Sequence, residues 1–262
     1  MTLLPQAPLR DIGVLVTRPA EQAGRLMQRL GELGAQPFLF PALALVAPRQ
    51  PERLAARLAA FQDYDWLLFI SPSAVQFGLA ALRQAIPAID LRQLRAAAVG
   101  GGTAAALHAA GVEQVLVPQH GADSEHLLAL QQFANLTGQR VLILRGEGGR
   151  ELLAETLRAR GATVDYAECY RRAAPESDPS PLRQAFAQQR IQAITLFSGE
   201  TLDNLLGLLD GESAAMARAL PLFVPHPRIA QHAGTQGFAK VITTESGEDG
   251  ILSGLVEYFA HV

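Results

Sequence analysis

The sequence predicts an α/β protein made of two similar parallel-sheet lobes. Three observations predict it: short buried apolar runs that feed amphipathic helices, glycine stops after those helices, and a return of the whole pattern 127 residues later. Gly13-Val14-Leu15-Val16-Thr17 reads as a buried strand. After Arg18-Pro19, the positions Ala23, Leu26, Met27, Leu30 and Leu33 recur at helical spacing. Gly34 supplies the stop, and Pro37-Phe38-Leu39-Phe40-Pro41 continues extended. Arg140-Val141-Leu142-Ile143-Leu144-Arg145, then Leu153 and Leu157, then Gly161-Ala162, repeat the device.

The offset of 127 lays Arg18 on Arg145, Leu26 on Leu153, Leu30 on Leu157 and Gly34 on Gly161. It also carries Leu67-Leu68-Phe69-Ile70-Ser71 onto Ile194-Thr195-Leu196-Phe197-Ser198, with Leu79 and Leu82 on Leu206 and Leu209. Offsets of 125 and 126 then place Ala98-Val99 on Phe223-Val224, and Gly111, Val115, Gly121 and Asp123 on Gly237, Val241, Gly247 and Asp249. So long a period is a domain duplication, far beyond a solenoid repeat of about 20 to 50 residues. Alternating strand and helix predicts parallel sheets covered on both faces, with ligands near the carboxyl ends of the strands. The stretch Ala173-Ala174-Pro175-Glu176-Ser177-Asp178-Pro179-Ser180-Pro181 carries the strongest linker signal, and Ala47-Pro48-Arg49-Gln50-Pro51 is its weaker counterpart.

Composition narrows the class. A chain of 262 residues suits two domains or one large barrel, and 49% apolar against 18% charged residues describes a folded globular protein. A formal charge of −3 gives no overall cationic field toward nucleic acid or membrane, so an anionic ligand must meet a local site. Cys169 is the only cysteine, which forbids an internal disulfide and fits a reducing compartment. Met1 to Arg10 lacks a long apolar run and no stretch is long enough to span a bilayer, so a cytoplasmic, soluble protein is expected.

Several motifs have both a chemical and a structural reading. Gly146-Glu147-Gly148-Gly149-Arg150 lies between strand and helix, where backbone N–H groups hold anions, yet it lacks the full dinucleotide spacing and a Walker lysine; a structural turn is the simpler reading. Gly100-Gly101-Gly102-Thr103 opens a helix over Ala104 to Ala110, with Thr103 read first as its cap and otherwise as a ligand contact. The corresponding corner of the second half, Pro225-His226-Pro227-Arg228, offers imidazole and cation instead. His108, His120, His126, His226, His232 and His261 show no metal-binding spacing, and only His226 sits at a strand end. Ser71 and Ser198 lack a nucleophile elbow and read as hydroxyl donors. Arg18 and Arg145, at equivalent strand ends, suit either a forked carboxylate contact or a surface ion pair. Tyr166 and Tyr170, in the extended piece before the linker, read as packing residues on their own.

Taken in order, Val16-Thr17-Arg18-Pro19, Phe40-Pro41-Ala42-Leu43, Phe69-Ile70-Ser71-Pro72-Ser73-Ala74-Val75 and Val99-Gly100-Gly101-Gly102-Thr103-Ala104 resemble the uroporphyrinogen-III synthase family. Leu144 to Leu153, Gly161-Ala162 and Glu168-Cys169-Tyr170-Arg171-Arg172 are similar to its proteobacterial branch. The resemblance runs from about residue 13 to 255 and implies a bilobed monomer without metal or organic cofactor. It implies a first lobe of residues 1–37 with 173–262, a second of 47–165, and extended crossovers at 38–46 and 166–172 forming a two-stranded linker, with the active site in the cleft.

The implied reaction closes hydroxymethylbilane, handed over from hydroxymethylbilane synthase, to uroporphyrinogen III in tetrapyrrole biosynthesis. Water leaves, and ring D inverts through a spiro-pyrrolenine. Tyr170 matches the family tyrosine that assists departure of the hydroxyl, while Thr103, Ser71 and Ser198 match residues that bond carboxylates. Arg18, Arg145, Arg228, His226, Gly146 and the Gly101-Gly102 turn complete the expected substrate contacts. Pro227 and Arg228 stand where many members have hydroxyl residues. Two rivals remain: a non-catalytic two-lobed sensor of an anionic small molecule, and a nucleotide-dependent oxidoreductase, which the broken glycine fingerprints disfavour.

Overall fold

The computed structural model describes residues 7–121, 123–149 and 151–260; residues 1–6, Arg150 of the glycine-rich motif and His261 lie outside the described residues. The chain begins with β1 (Gly13–Val16), α1 (Ala20–Glu32) and β2 (Gln36–Leu39), followed by β3 (Ala44–Val46) and α2 (Pro51–Ala59). Next come β4 (Trp66–Phe69), α3 (Pro72–Ala85), β5 (Ala96–Ala98), α4 (Gly101–Ala109), β6 (Val115–Leu116) and the short α5 (Ser124–Leu128). The second half runs β7 (Arg140–Gly146), α6 (Leu152–Ala159), β8 (Thr163–Ala173), α7 (Ser180–Ala187), β9 (Ala193–Thr195) and α8 (Gly199–Leu208). It ends with α9 (Gly211–Ala219), β10 (Leu222–Val224), α10 (Pro227–Thr235), β11 (Val241–Thr243) and α11 (Gly247–Ala260).

Two sheets result, in the orders β11-β10-β9-β1-β2 and β3-β8-β7-β4-β5-β6. At the repeat offset, β1, β2, β4, β5 and β6 correspond to β7, β8, β9, β10 and β11. In repeat terms both sheets therefore carry the order second, first, third, fourth, fifth. That is a doubly wound order with a switch point between the first and third strands. Each sheet takes its first two repeat strands from one half of the sequence and its last three from the other. The two compact units follow this exchange: unit 1 ends at Ala44 and resumes at Ala173, and unit 2 is Leu45–Arg172. The fold class is thus duplicated α/β, with the two copies interleaved along the chain.

Most residues of the segments expected as crossovers lie in sheet strands, 38–39 in β2, 44–46 in β3 and 166–172 in β8, while 40–43 lie in none. Phe38 and Leu39 pair with Leu15 and Val16 in unit 1. Residues 166–172 belong to β8, which registers with β7 as far as Gly146↔Tyr170. Extended backbone of this length needs partners for its N–H and C=O groups, and a ladder supplies them.

Both sheets are buried on two faces, which is why their strands read as continuous apolar runs rather than alternating ones. In unit 2, Leu67, Phe69, Leu142 and Leu144 pack on one face and Leu68, Val141 and Ile143 on the other. In unit 1, Leu15, Ile194, Leu222 and Val224 oppose Val14, Val16, Ala193 and Phe223. Helices α1, α4, α6 and α10 end alike, at Gly34, Gly111, Gly161 and Gly237, all at positive φ. After each glycine the next N–H donates five residues back, as in Ala35 to Leu30 and Ala162 to Leu157, both near 3.0 Å. This left-handed cap consumes orphan carbonyls, and glycine adopts it without a Cβ clash. Among the described residues no helix is long and apolar enough to cross a membrane.

Candidate active site

In unit 2 the carboxyl ends of β7 and β4 flank the switch point, where doubly wound sheets bind ligands. Ser71 follows β4 and caps α3, its Oγ accepting the Ala74 N–H at 3.1 Å. The same Oγ lies 3.3 Å from the Tyr170 hydroxyl. Tyr170 is 7% exposed, and its ring stands 5.4 Å from that of Phe77.

A bulge aims this tyrosine. Arg145 pairs with Glu168, but Gly146 pairs with Tyr170, so Cys169 is the extra residue. Regular alternation would turn Cys169 and Tyr170 to opposite faces; here Ala167, Cys169 and Tyr170 all join the core cluster that includes Leu79 and Leu82 of α3. The Glu147 N–H donates to the Tyr170 carbonyl at 2.7 Å and holds the bulge. Gly146 is the floor: a Cβ there would lie 2.8 Å from Cε2 and 2.9 Å from Cζ of Tyr170.

Arg145 is placed differently from an open carboxylate receptor. It is 6% exposed, with Nη1 3.1 Å from Glu151 and Nη2 3.8 Å from Glu168. Its guanidinium lies 4.0 Å from the Tyr166 ring centroid, and its buried Nε has no partner among the described residues. Tyr166 donates to the other Glu151 oxygen at 2.5 Å. This bond, with help from Arg145, holds the Glu151 carboxyl below the usual range, while burial and then Glu151 push the Tyr166 phenol up. Arg145 is held in an ion pair, but a buried one rather than the surface pair the sequence offered, and the Tyr166 ring covers it. A cavity of about 200 Å³ opens beside it, lined by Ile70, Val99, Ile143, Gly148 and Gly149 among others.

The glycine turn after β5 is also specific. Gly100, rather than Thr103, occupies the N-cap of α4, and Gly101, Gly102 and Thr103 form its first turn. Thr103 is 4% exposed and does not cap, because it sits inside the helix with its side chain against the core. A Cβ at Gly101 or Gly102 would meet nothing within 4 Å. Glycine costs about 1 kcal/mol against alanine in a helix, and packing does not explain the pair.

At the carboxyl edge of the unit 1 sheet, buried Thr17 and Thr195 bond reciprocally across β1 and β9, to the Thr195 and Leu15 carbonyls at 2.8 and 3.0 Å. Arg18 follows, 2.5 Å from Glu248 and over the Phe197 ring at 4.6 Å. Ser198 caps α8, accepting the Thr201 N–H at 3.1 Å. His226 is the N-cap of α10, its Nδ1 accepting the Arg228 N–H at 3.0 Å. Arg228 is exposed, and its guanidinium has no partner among the described residues. No group of three or more possible metal-ligating side chains occurs among the described residues.

Sequence reasoning missed Phe77 and Glu151 as neighbours of the site and undervalued Tyr166. An acidic residue opening the helix after an arginine strand end is the one signal that pointed to Glu151. Nothing marked Phe77 apart from other apolar residues of α3.

The family model for uroporphyrinogen-III synthase HemD matches residues 24–253. The chain belongs to this family. A uroporphyrinogen-III synthase of Escherichia coli is 37% identical to this family member over 201 residues, 76% of this chain and 80% of the relative. One from Synechococcus elongatus is 30% identical over 210 residues, covering 78% and 77%. Among solved structures, a uroporphyrinogen-III synthetase from Helicobacter pylori aligns with a TM-score of 0.60 at 14% identity, over 95% of this chain and all of that one. A mutant uroporphyrinogen III synthase from Thermus thermophilus aligns at 0.54 with 19% identity, over 96% of this chain and all of that one. At such identities the likeness of this HemD-family chain to the two structures is one of fold.

Proposed function

We propose that this protein closes hydroxymethylbilane to uroporphyrinogen III, with loss of water and inversion of ring D. The observation that carries the reading is the family match across residues 24–253, which includes the serine, glycine-turn and tyrosine positions described above.

The chemistry asks for orientation more than for strong acids. Once the hydroxyl leaves as water, the azafulvenium is attacked by ring D through its substituted carbon; the spiro-pyrrolenine then fragments and recloses inverted. Holding that one geometry in place of the easier uninverted closure is a task for positioned binding groups. Tyr170 supplies the proton to the departing hydroxyl. Gly101 and Gly102 offer backbone N–H groups at the start of α4, and exposed Arg228 offers a forked cation to acetate and propionate arms. Ser71, Thr103 and Gly146 stand at or just after strand ends of unit 2, and Ser198 and His226 stand at those of unit 1. Arg18 and Arg145 engage substrate carboxylates only with guanidinium groups already paired to Glu248 and Glu151. The protein works as a cytoplasmic monomer, without cofactor, nucleic acid or membrane, on substrate handed over from hydroxymethylbilane synthase.

Hydroxymethylbilane generated enzymatically tests this. It should be consumed faster with the protein than without, and the product should be the type III macrocycle. A binding protein without activity would leave consumption no faster and the product type I.

A further inference from the structure

The geometry points to Ser71 as a positioning residue that links Tyr170 to the N-terminus of α3, directing the phenol proton outward and steadying the phenolate once that proton has gone. This rests on the ring closure proposed above.

A serine hydroxyl has one proton and two lone pairs. One lone pair of Ser71 is committed to the Ala74 N–H at 3.1 Å, which fixes the side chain, and the Tyr170 oxygen is 3.3 Å away. When Ser71 donates to Tyr170, the chain N–H to Oγ–H to Oη–H runs in one direction, and each bond polarises the next. The tyrosine proton is then left for a third group. Helix α3 has 14 residues, and its amino end stabilises negative charge. The ring is held between Gly146 and Phe77, so the oxygen stays in register with the serine.

The duplication supplies an internal comparison. Ser198, the repeat counterpart of Ser71, caps α8 through the Thr201 N–H at the same 3.1 Å. Its hydroxyl, however, lies 2.7 Å from the Thr201 side chain of its own helix. The counterpart of Tyr170 at that offset is Leu43, which has no hydroxyl. Capping is thus common to both serines, and the tyrosine contact is additional to it at Ser71.

In the step itself, the Tyr170 proton moves to the hydroxyl oxygen of the substrate. The carbon–oxygen bond breaks, its electron pair leaves with water, and the pyrrole nitrogen lone pair forms the azafulvenium. The phenolate left behind accepts the Ser71 O–H. When ring D finally closes through its free carbon, the proton lost there returns to the phenolate.

A double-mutant cycle in the full chain tests the link, with kcat and KM for type III formation measured for wild type, Ser71→Ala, Tyr170→Phe and the double variant. Ser71→Ala is expected to lower kcat about tenfold with KM within about twofold, and to cost nothing further in the Tyr170→Phe background. Ser71→Thr should restore most of the loss. Ser71→Asp, which caps a helix but has no proton to donate at neutral pH, should fold and remain slow. Equal losses from Ser71→Ala in both backgrounds, or no loss in the first, would overturn the link. Full turnover by Tyr170→Phe would overturn it too while leaving the ring-closure reading intact; a wild type that makes no type III product fails that reading itself.

Discussion

Burial sets the chemistry of Cys169. Its thiol is pushed up to about 12, chiefly by burial, and it donates to the Ala167 carbonyl at 3.1 Å. From the unfolded value of 9.0 up to about 12 the folded chain keeps a proton that the unfolded chain releases. Stability therefore falls with rising pH in that window, by at most about 1.4 kcal/mol per pH unit from this group. Urea unfolding of wild type and Cys169→Ala between about pH 8 and 10.5 should show a shallower decline for the variant; equal slopes would mean the thiol is accessible. Individual residues were unevenly legible in the sequence. Leu26, Leu30, Gly34 and their repeat partners announced their roles, because periodicity and left-handed caps are local. Arg145 did not: the sequence shows a cation at a strand end, while Tyr166 and Glu151, which bury and pair it, approach only once β8 and α6 have packed. Thr103 looked like a cap because the preceding glycines looked like loop, yet helix α4 starts at Gly101.

At the level of the element, the β7–β8 bulge turns Tyr170 onto the core face it shares with Ala167 and Cys169, within reach of Ser71. A single inserted residue reverses the facing of everything after it, and no single-sequence pattern reveals such an insertion. The resemblance supplied Tyr170; only the ladder explains how its ring reaches Ser71. Gly146→Ala tests the bulge directly. Its methyl group would sit 2.8 Å from the tyrosine ring, so either the ring or the strand end must move. Overpacking of this kind costs about 1–3 kcal/mol. Type III formation should fall at least about tenfold, since a small displacement of a catalytic group has effects of that order. A variant with wild-type turnover and melting temperature would show that the ring tolerates displacement.

For the whole molecule, the duplication was legible but its interleaving was not. An offset of 127 shows that two copies exist, whereas which strands share a sheet depends on contacts far apart in sequence. The topology has a consequence for folding. Leu45–Arg172 holds β4 to β7 and most of β3 and β8 in one continuous stretch, and so nearly all of its sheet. As a fragment it should melt cooperatively. Residues 1–127, which contain a whole repeat, would leave both sheets incomplete with open edges, and should not. Circular dichroism melts of the two fragments distinguish these cases, and the reverse result would refute the strand exchange.

The ratio of type III to type I uroporphyrinogen, followed by chromatography as protein is titrated into a fixed supply of hydroxymethylbilane, tests the central claim most directly. The account predicts type I alone at zero protein and a ratio that climbs with protein until type III dominates. A product that stays type I at every concentration of folded protein would contradict it.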